Sequence, residues 1–181
     1  MCFIRCIRII INIFNKKYNN FILIYKMNGD FVIEYHPICN NIFRKETNNT
    51  KEKKICQLLK NNPHKNIITI YDITKNHIDM ELLNIDIDNI NINKIKKVMK
   101  DVKTYMHTLG IIYIDWKLDN IGIDNNGQLK LFDFNVSGVI NINTNEWIIE
   151  PPKYWSYNKA INNGMKTAID IDNYAFNIGF E

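Results

Sequence analysis

Three oxygen-bearing side chains in the second half of the chain, Asp115, Asn120 and Asp133, constrain its fold more than any other feature of the sequence. Between Asn120 and Asp133, the apolar alternation on either side of Gly127 predicts a strand, a turn and a second strand. A hairpin of this length folds Asn120 and Asp133 back towards each other. Because Mg²⁺ in proteins takes carboxylate and amide oxygens together with phosphate oxygens, the spacing indicates a magnesium–phosphate site.

Asp115 and Lys117, just upstream of this hairpin, have the side-chain chemistry that phosphoryl transfer needs. A carboxylate at residue 115 can accept a hydroxyl proton, and an ammonium two residues later can neutralise charge on a transferring phosphoryl group. The chain contains 29 Asn and 35 Ile residues, so an isolated Asp-x-x-x-x-Asn would carry no weight. The interpretation as a phosphoryl-transfer site depends on the order along the chain of the loop with Asp115 and Asn120, the hairpin, and the second carboxylate at Asp133.

The overall composition limits the class of protein. With 46% hydrophobic and 12% aromatic residues the chain can bury a core, which excludes wholesale disorder. A length of 181 residues suits one domain or two small lobes. The net charge of +4 is too small and too scattered to indicate nucleic acid as a partner.

The cysteines and the N-terminal segment bear on the compartment. Cys2, Cys6, Cys39 and Cys56 show neither metal-ligand spacing nor a dense disulfide framework, so we expect free, reduced thiols. The apolar stretch at residues 1–14 is too short to span a bilayer and lacks a cleavage site for export. The sequence therefore predicts a cytoplasmic protein with no transmembrane segment.

The first half of the chain predicts a small sheet with one helix. Strand composition and turn residues indicate five strands, and Ile55, Leu58 and Leu59 recur at helical spacing. The strands are predicted at residues 21–26, 31–35, 41–45, 67–73 and 77–83, and the helix at residues 51–60. The dipeptide Asn28-Gly29 between the first two strands is a strong hairpin signal.

The second half predicts mainly helices. A long apolar helical face is formed by Ile95, Met99, Val102, Met106 and Leu109. Gly110 ends this helix, and residues 170–180 predict another. We expect an α+β fold with an N-terminal extension at residues 1–20, a small lobe at residues 21–83 and a mainly helical lobe at residues 84–181.

The stretch Tyr-Met-His-Thr-Leu-Gly-Ile-Ile-Tyr-Ile-Asp-Trp-Lys-Leu-Asp-Asn, which ends at Asn120, resembles the helix and the H-R-D-L-K-x-x-N catalytic loop of the protein kinase superfamily. Leu-Phe-Asp-Phe-Asn at residues 131–135 is similar to the D-F-G motif of that superfamily. The resemblance implies a two-lobed fold with ATP and Mg²⁺ as cofactors. It also implies Asp115 as the catalytic base, Lys117 as a phosphate contact, and Asn120 and Asp133 as magnesium ligands.

The resemblance extends to both sides of this loop. Glu52 resembles the helix glutamate that pairs with a strand lysine, for which Lys45 is favoured and Lys26 is the alternative. Residues 80–83, Met-Glu-Leu-Leu, resemble the gatekeeper and hinge, which implies that the backbone of Glu81 and Leu83 holds adenine. Residues 152–158 resemble the substrate-side loop that ends in A-P-E.

Further along, Asp170 falls where the superfamily has a buried aspartate. The resemblance also implies a shortened second lobe, with an exposed apolar surface on Trp155, Tyr174 and Phe176.

Four departures from the superfamily pattern bear on activity. Gly29 is alone where a glycine-rich loop is expected, which predicts weaker phosphate clamping. Ile114 replaces the arginine before the catalytic aspartate, so control through a phosphorylated activation segment is not expected. Asn135 replaces the glycine of D-F-G, in a turn where we expect positive φ. Asn158 replaces the acid of A-P-E.

The resemblance implies a Ser/Thr-type protein kinase that transfers the γ-phosphate of Mg-ATP to a protein hydroxyl. The retained set of Asp115, Lys117, Asn120 and Asp133 favours this function. A pseudokinase or regulatory binding module is the alternative, suggested by the missing glycine loop. A small-molecule phosphotransferase with the same fold is a third possibility. The expected partners are a nucleotide and a protein substrate or regulatory protein.

Overall fold

The computed structural model describes residues 41–180, which form two compact units of strands and helices. In chain order the elements are β1 (Ile42–Glu46), α1 (Thr50–Asn61), β2 (Ile70–Ile73), β3 (His77–Glu81), α2 (Ile92–Thr108), β4 (Ile111–Ile112), β5 (Ile121–Ile123), β6 (Leu129–Leu131), β7 (Gly138–Ile140), β8 (Trp147–Ile149), α3 (Trp155–Asn162) and α4 (Ala168–Gly179). A short 3-10 turn covers Leu118–Asn120.

The first unit, residues 41–48 and 70–82, is a three-stranded antiparallel sheet in the order β1-β3-β2. β1 pairs with β3 so that Arg44 lies opposite Asp79, and Lys45 lies opposite Ile78. The Arg44 guanidinium donates two hydrogen bonds to the Asp79 carboxylate, each at 2.7 Å. A two-pronged pair of this kind adds geometric specificity, so it helps to fix the register of β1 on β3.

Three of the five predicted strands are confirmed as β1, β2 and β3. β2 is shorter than predicted because Ile67 and Ile68 belong to the second unit, where they pair with Leu131 of the same unit. The strands predicted at residues 21–26 and 31–35, with Lys26 and three of the cysteines, lie outside the described residues. The five-strand count and the bounds of the predicted lobes therefore stay predictions.

The second unit, residues 49–69 and 83–180, contains all four described helices. The helix predicted at residues 51–60 is confirmed as α1, with Cys56 buried beside its apolar face. The apolar stripe of α2 is confirmed as core, since Ile95, Met99, Val102 and Met106 are fully buried. α2 ends before Gly110, whose φ of 72° is one that glycine adopts without strain.

Two small sheets carry the loops of the second unit. β5 and β6 form the predicted antiparallel hairpin, with Ile121 opposite Leu131. Asn66 holds this hairpin from the side, since its Nδ2 donates to Leu129 O at 2.8 Å and its carbonyl accepts from Leu131 N at 2.9 Å. The other sheet has the order β4-β7-β8. Its two- and three-residue strands, like α3, were not predicted from the sequence.

α4 is confirmed close to its predicted bounds, and it starts two residues earlier than predicted. Thr167 caps the helix: its Oγ accepts from Asp170 N at 3.1 Å and donates to the Asp170 carboxylate at 2.7 Å. This reciprocal arrangement is a helix-capping pattern, and it leaves the Asp170 side chain exposed in the first turn.

Among residues 41–180, no helix is long and apolar enough to cross a membrane. The longest described helix, α2, has 17 residues and carries several lysines on its exposed face.

Candidate active site

The loop after β4 brings Asp115, Lys117 and Asn120 within hydrogen-bond distance of one another. The Asp115 Oδ2 atom accepts from Lys117 Nζ at 2.7 Å and from Asn120 Nδ2 at 2.8 Å. Asn120 Nδ2 also donates to the backbone carbonyl of Asp115 at 2.9 Å. Two donors therefore fix one carboxylate oxygen of Asp115, while the side chain remains partly exposed and can reach a substrate.

Asn120 is buried, and its hydrogen bonds to Asp115 all use the amide nitrogen. The amide oxygen is therefore the atom of this side chain that can contact a cation. Mg²⁺ requires oxygen donors, so the orientation of Asn120 suits a metal ligand.

The β5–β6 hairpin places Asp133 beside Asn120, as the spacing predicts. Ile121 lies opposite Leu131, and Phe132 N donates to Asn120 O at 3.0 Å where the two strands meet the loop. Asp133 follows directly with φ of 61°, a conformation that non-glycine residues rarely adopt. Sparsely populated backbone conformations cluster at active sites, so this turn has the character of a functional site.

The expected positive φ at Asn135 is a wrong prediction, because the strained residue of the motif is Asp133. The side chain of Asn135 instead enters the structure: its Oδ1 is buried without a hydrogen-bond partner among the described residues. Its backbone carbonyl accepts from Asn49 Nδ2 at 3.3 Å. Asn135 therefore replaces the glycine without a left-handed backbone conformation: its side-chain oxygen is buried, and its backbone carbonyl is hydrogen-bonded to Asn49.

The buried side chain of Tyr113 supports the backbone next to Asp133. Its hydroxyl donates to Phe132 O at 2.6 Å, and its fully buried ring packs edge-on against Trp116 and Phe134. Burial, followed by the charges of Asp133 and Asp115, raises the pKa of Tyr113 well above its ordinary value. The phenol therefore stays protonated and holds β6 to the catalytic loop.

The strained backbone at Ile114 is held by Asp172 on α4. Ile114 has φ of 68°, which is unfavourable for a β-branched residue, and its N–H donates to Asp172 Oδ1 at 2.8 Å. The same oxygen accepts from Trp116 Nε1 at 2.7 Å, and Oδ2 lies 2.7 Å from His107 Nε2. Asp172 is fully buried, so a fixed acceptor bound to three donors sets the shape of the loop that carries Asp115.

The prediction that Asp170 is the buried aspartate is therefore wrong by two residues. Asp170 sits in the exposed capping pair with Thr167, whereas Asp172 reaches the core. The sequence contained the signal, since Thr-x-x-Asp is a capping pattern that assigns Asp170 to the exposed first turn of the helix. His107 is the third partner of Asp172.

The predicted exposed apolar surface is confirmed for one residue and corrected for another. Trp155 is 68% exposed, whereas Phe176 is 3% exposed. Phe176 packs edge-on against Trp116 and Phe180, and Lys103 Nζ lies 4.4 Å from its ring centre. Trp116 therefore packs against α4 and covers Phe176, which we expected to be exposed.

The predicted nucleotide contacts are distributed over both units. Lys45 lies on β1 and Glu81 is the last residue of β3, in the first unit. Glu52 lies buried in the first turn of α1, in the second unit. Leu83 lies against Gly122 of β5, where a Cβ atom on the glycine would come within 2.8 Å of Leu83 Cβ. The nucleotide-binding roles of these four residues stay predictions.

A protein-family model described as the protein kinase domain matches residues 38–176, which is most of the chain. The chain belongs to the protein kinase family. The chain is 28% identical over 165 residues, or 80% of its length, to MAP3K epsilon protein kinase 1 of Arabidopsis thaliana. It is 36% identical over 68 residues, or 37% of its length, to cGMP-dependent protein kinase 2 of Mus musculus. These matches span only 12% and 9% of the two relatives.

Proposed function

We propose that this protein transfers the γ-phosphate of Mg-ATP to a serine or threonine hydroxyl of a protein substrate. One observation carries the proposal: the Asp115 carboxylate is held by Lys117 and Asn120 in a single loop, at 2.7 and 2.8 Å. A carboxylate held in this way, with part of its surface exposed, is arranged to meet a hydroxyl group.

The chemistry of the donor set supports magnesium as the metal. The amide oxygen of Asn120 and the carboxylate of Asp133 are hard oxygen ligands, and the hairpin brings their backbones together. Bound Mg-ATP would supply the phosphoryl group and neutralise part of its charge. Asn120 and Asp133 would hold the metal, and the hydrogen bonds from Asn120 to Asp115 would keep the amide oxygen turned away from the loop.

In this proposal Asp115 orients the acceptor hydroxyl and takes its proton, while Lys117 keeps its ammonium beside the reacting phosphoryl group. The 2.7 Å contact between them means that Lys117 also holds the base in place when no substrate is bound. Lys45 and Glu52 would position the nucleotide phosphates, and the backbone of Glu81 and Leu83 would hold adenine.

The Ser/Thr type is the finer part of the proposal. It is supported by Lys117 two residues after Asp115, as in the Ser/Thr members that the loop resembles. The names of the relatives, a MAP3K epsilon protein kinase and a cGMP-dependent protein kinase, are consistent with phosphoryl transfer to proteins.

A non-catalytic, kinase-like binding module is the second candidate. A cluster of exposed apolar side chains at β8 and the start of α3 favours it, namely Ile148, Tyr154 and Trp155. Exposed apolar side chains that lie near one another in the chain are typical of protein-binding surfaces. A binding module has no use for the Asp115–Lys117–Asn120 arrangement, which is why catalysis is the first candidate.

Thermal unfolding with ATP, with and without Mg²⁺, separates the two candidates. A ligand at a hundredfold excess over its Kd stabilises the folded state by about 2.7 kcal/mol. For a chain of this size that corresponds to a rise in Tm of roughly 5 to 11 °C. We expect a magnesium-dependent rise in wild type that is reduced in Asp133→Asn and retained in Asp115→Asn.

Phosphate incorporation into a serine- and threonine-containing protein is then measured with the same variants. We expect Asp115→Asn to abolish transfer although it still binds ATP. Asp119→Asn is the matched control, because Asp119 is an exposed acid of the same loop and should transfer at the wild-type rate. Equal incorporation by wild type and Asp115→Asn would refute the catalytic assignment. No rise in Tm at millimolar ATP would favour the binding module.

A further inference from the structure

The first turn of α1 contacts the segment at residues 135–150 at both of its ends. Asn49 Nδ2 donates to Asn135 O at 3.3 Å, and Lys51 Nζ donates to Glu150 O at 2.9 Å. The segment between these two carbonyls contains β7 and β8 and follows directly on the Asp133 turn. Two neighbouring side chains thus fasten the start and the end of a sixteen-residue segment to one helix.

Asn49 joins two parts of the site with one side chain. Its Oδ1 caps α1 by accepting from Lys51 N at 3.1 Å and from Glu52 N at 3.2 Å. Its Nδ2 binds Asn135, two residues after Asp133. The position of Glu52 and the position of the Asp133 turn therefore depend on the same amide group.

Neither hydroxyl side chain of the segment is well placed for ordering by phosphorylation. Its hydroxyl side chains are Ser137 and Thr144, and it contains neither Lys nor Arg. Ser137 is only 1% exposed, so a protein kinase could not reach it in this conformation. Thr144 is exposed, but its Oγ donates to the Glu146 carboxylate at 3.3 Å, so a phosphate there would meet a like charge. Ile114 stands where an arginine would otherwise pair with a phosphate.

We propose that Asn49 and Lys51 hold residues 135–150 in their ordered arrangement without any phosphate, and that Asn49 is a positioning residue of the phosphoryl-transfer site. Neutral and lysine-mediated hydrogen bonds to main-chain carbonyls here replace the charge pair that phosphorylation would create. The positioning role rests on the proposed kinase activity, whereas the holding of the segment does not. In this proposal, phosphoryl transfer therefore does not require phosphorylation of residues 135–150.

Exchange of backbone amide hydrogens measures directly how firmly Asn49 and Lys51 hold residues 135–150. This measurement does not require phosphoryl-transfer activity. Asn49→Asp and Asn49→Ser both keep a good helix cap, but aspartate has no N–H to donate to Asn135 and the serine hydroxyl lies on a shorter side chain than the amide that reaches Asn135. Loss of one such hydrogen bond should speed exchange in residues 136–150 by about threefold to tenfold, while exchange in α2 is unchanged. Agreement between the Asp and Ser variants separates loss of the donor from repulsion by the new carboxylate.

Lys51→Met tests the second contact in the same way, with Lys54→Met as its matched control. Lys54 is an exposed lysine on the same helix. We expect faster exchange near Glu150 in Lys51→Met, wild-type exchange in Lys54→Met, and recovery in Lys51→Arg because arginine keeps a donor. Wild-type exchange in all Asn49 and Lys51 variants would overturn the proposal.

Activity then tests the positioning role on protein freed of phosphate by phosphatase treatment and checked by mass. We expect full transfer by the treated wild type and by Thr144→Ala, and a reduced kcat in the Asn49→Asp, Lys51→Met double variant. Loss of transfer on phosphatase treatment, or a double variant that exchanges faster yet keeps the wild-type kcat, would overturn the role. If no protein transfers phosphate, the proposed function fails, and exchange alone decides whether Asn49 and Lys51 hold the segment.

Discussion

Replacement of Asp172 should destabilise the protein more than any other single change near the catalytic loop. The carboxylate is fully buried and binds Ile114 N, Trp116 Nε1 and His107 Nε2 at 2.7 to 2.8 Å. Ile114 is held at a φ that an isoleucine does not favour, so its N–H has no easy alternative partner. We compare Asp172→Ala, which removes the acceptor, with Asp172→Asn, which keeps an oxygen.

The magnitude follows from the groups that each variant leaves unpaired. In Asp172→Ala, two buried N–H donors lose their acceptor at about 1 to 3 kcal/mol each, and His107 loses its partner as well. The two N–H donors together give about 2 to 6 kcal/mol, and we expect a total loss of about 3 to 5 kcal/mol. In Asp172→Asn, the amide oxygen can still accept from Ile114 and Trp116, so we expect a loss of about 1 to 2 kcal/mol.

Chemical and thermal unfolding provide the assay. Losses of this size correspond to a fall in Tm of roughly 6 to 20 °C for Asp172→Ala and a few degrees for Asp172→Asn. Asp170→Ala is the matched control on the same helix, because it removes only an exposed capping contact with Thr167. That change should cost about 1 kcal/mol or less.

The order of the losses in unfolding free energy among the three variants tests the assignment of Asp172. If Asp170→Ala were as destabilising as Asp172→Ala, or if Asp172→Ala cost less than about 1 kcal/mol, the assignment of Asp172 as the buried acceptor would be wrong. If Asp172→Asn cost as much as Asp172→Ala, then the charge, and not the accepted hydrogen bonds, would account for the stability.

Two further perturbations test the packing of α4 and the turn of the β5–β6 hairpin. Gly179→Ala places a Cβ atom against the backbone oxygen of Trp116, so α4 or the catalytic loop must shift. We expect a net loss of about 1 to 2 kcal/mol in unfolding experiments in spite of the better helix propensity of alanine, and a more stable variant would contradict this contact. At Asp124, burial works to raise the pKa of the carboxyl, but the N–H groups of Gln128 and Asn126 outweigh it and lower the pKa below 3.8. A depressed folded-state pKa contributes stability above the unfolded pKa that is lost as the pH falls through the folded one. The difference in unfolding free energy between wild type and Asp124→Asn should therefore be full at about pH 6 and shrink below about pH 4, and a difference independent of pH would contradict the shift.

Long, regular patterns were predicted correctly because they depend on local spacing alone. The apolar stripe of α2 recurs every three or four residues, and Ile95, Met99, Val102 and Met106 are in the core, while Leu109 at the end of the helix is half-buried. The hairpin that joins Asn120 to Asp133 was predicted from alternation around Gly127, whose φ of 76° suits the turn. The arrangement of the catalytic loop relative to the Asp133 turn followed from that hairpin.

Short elements were missed because their partners are distant in the sequence. β4, β7 and β8 have two or three residues each, too few to show a period, and they form only because the chain brings them side by side. The start of α3 was missed because Tyr154, its N-cap residue, makes no side-chain capping bond. Phe176 was expected on the surface since nothing local indicates that Trp116 covers it.

The family, three of the four described helices, the β5–β6 hairpin and the four polar side chains at its base could be predicted from the sequence, because each depends on residues within one loop, one hairpin or one helix. The packed fold was needed to show that Asp172 binds Ile114 N, and that Asn49 and Lys51 reach Asn135 and Glu150. Those contacts join residues 58, 86 and 99 positions apart. Hydrogen bonds over such distances carry no local pattern, so they are defined only once the chain has packed.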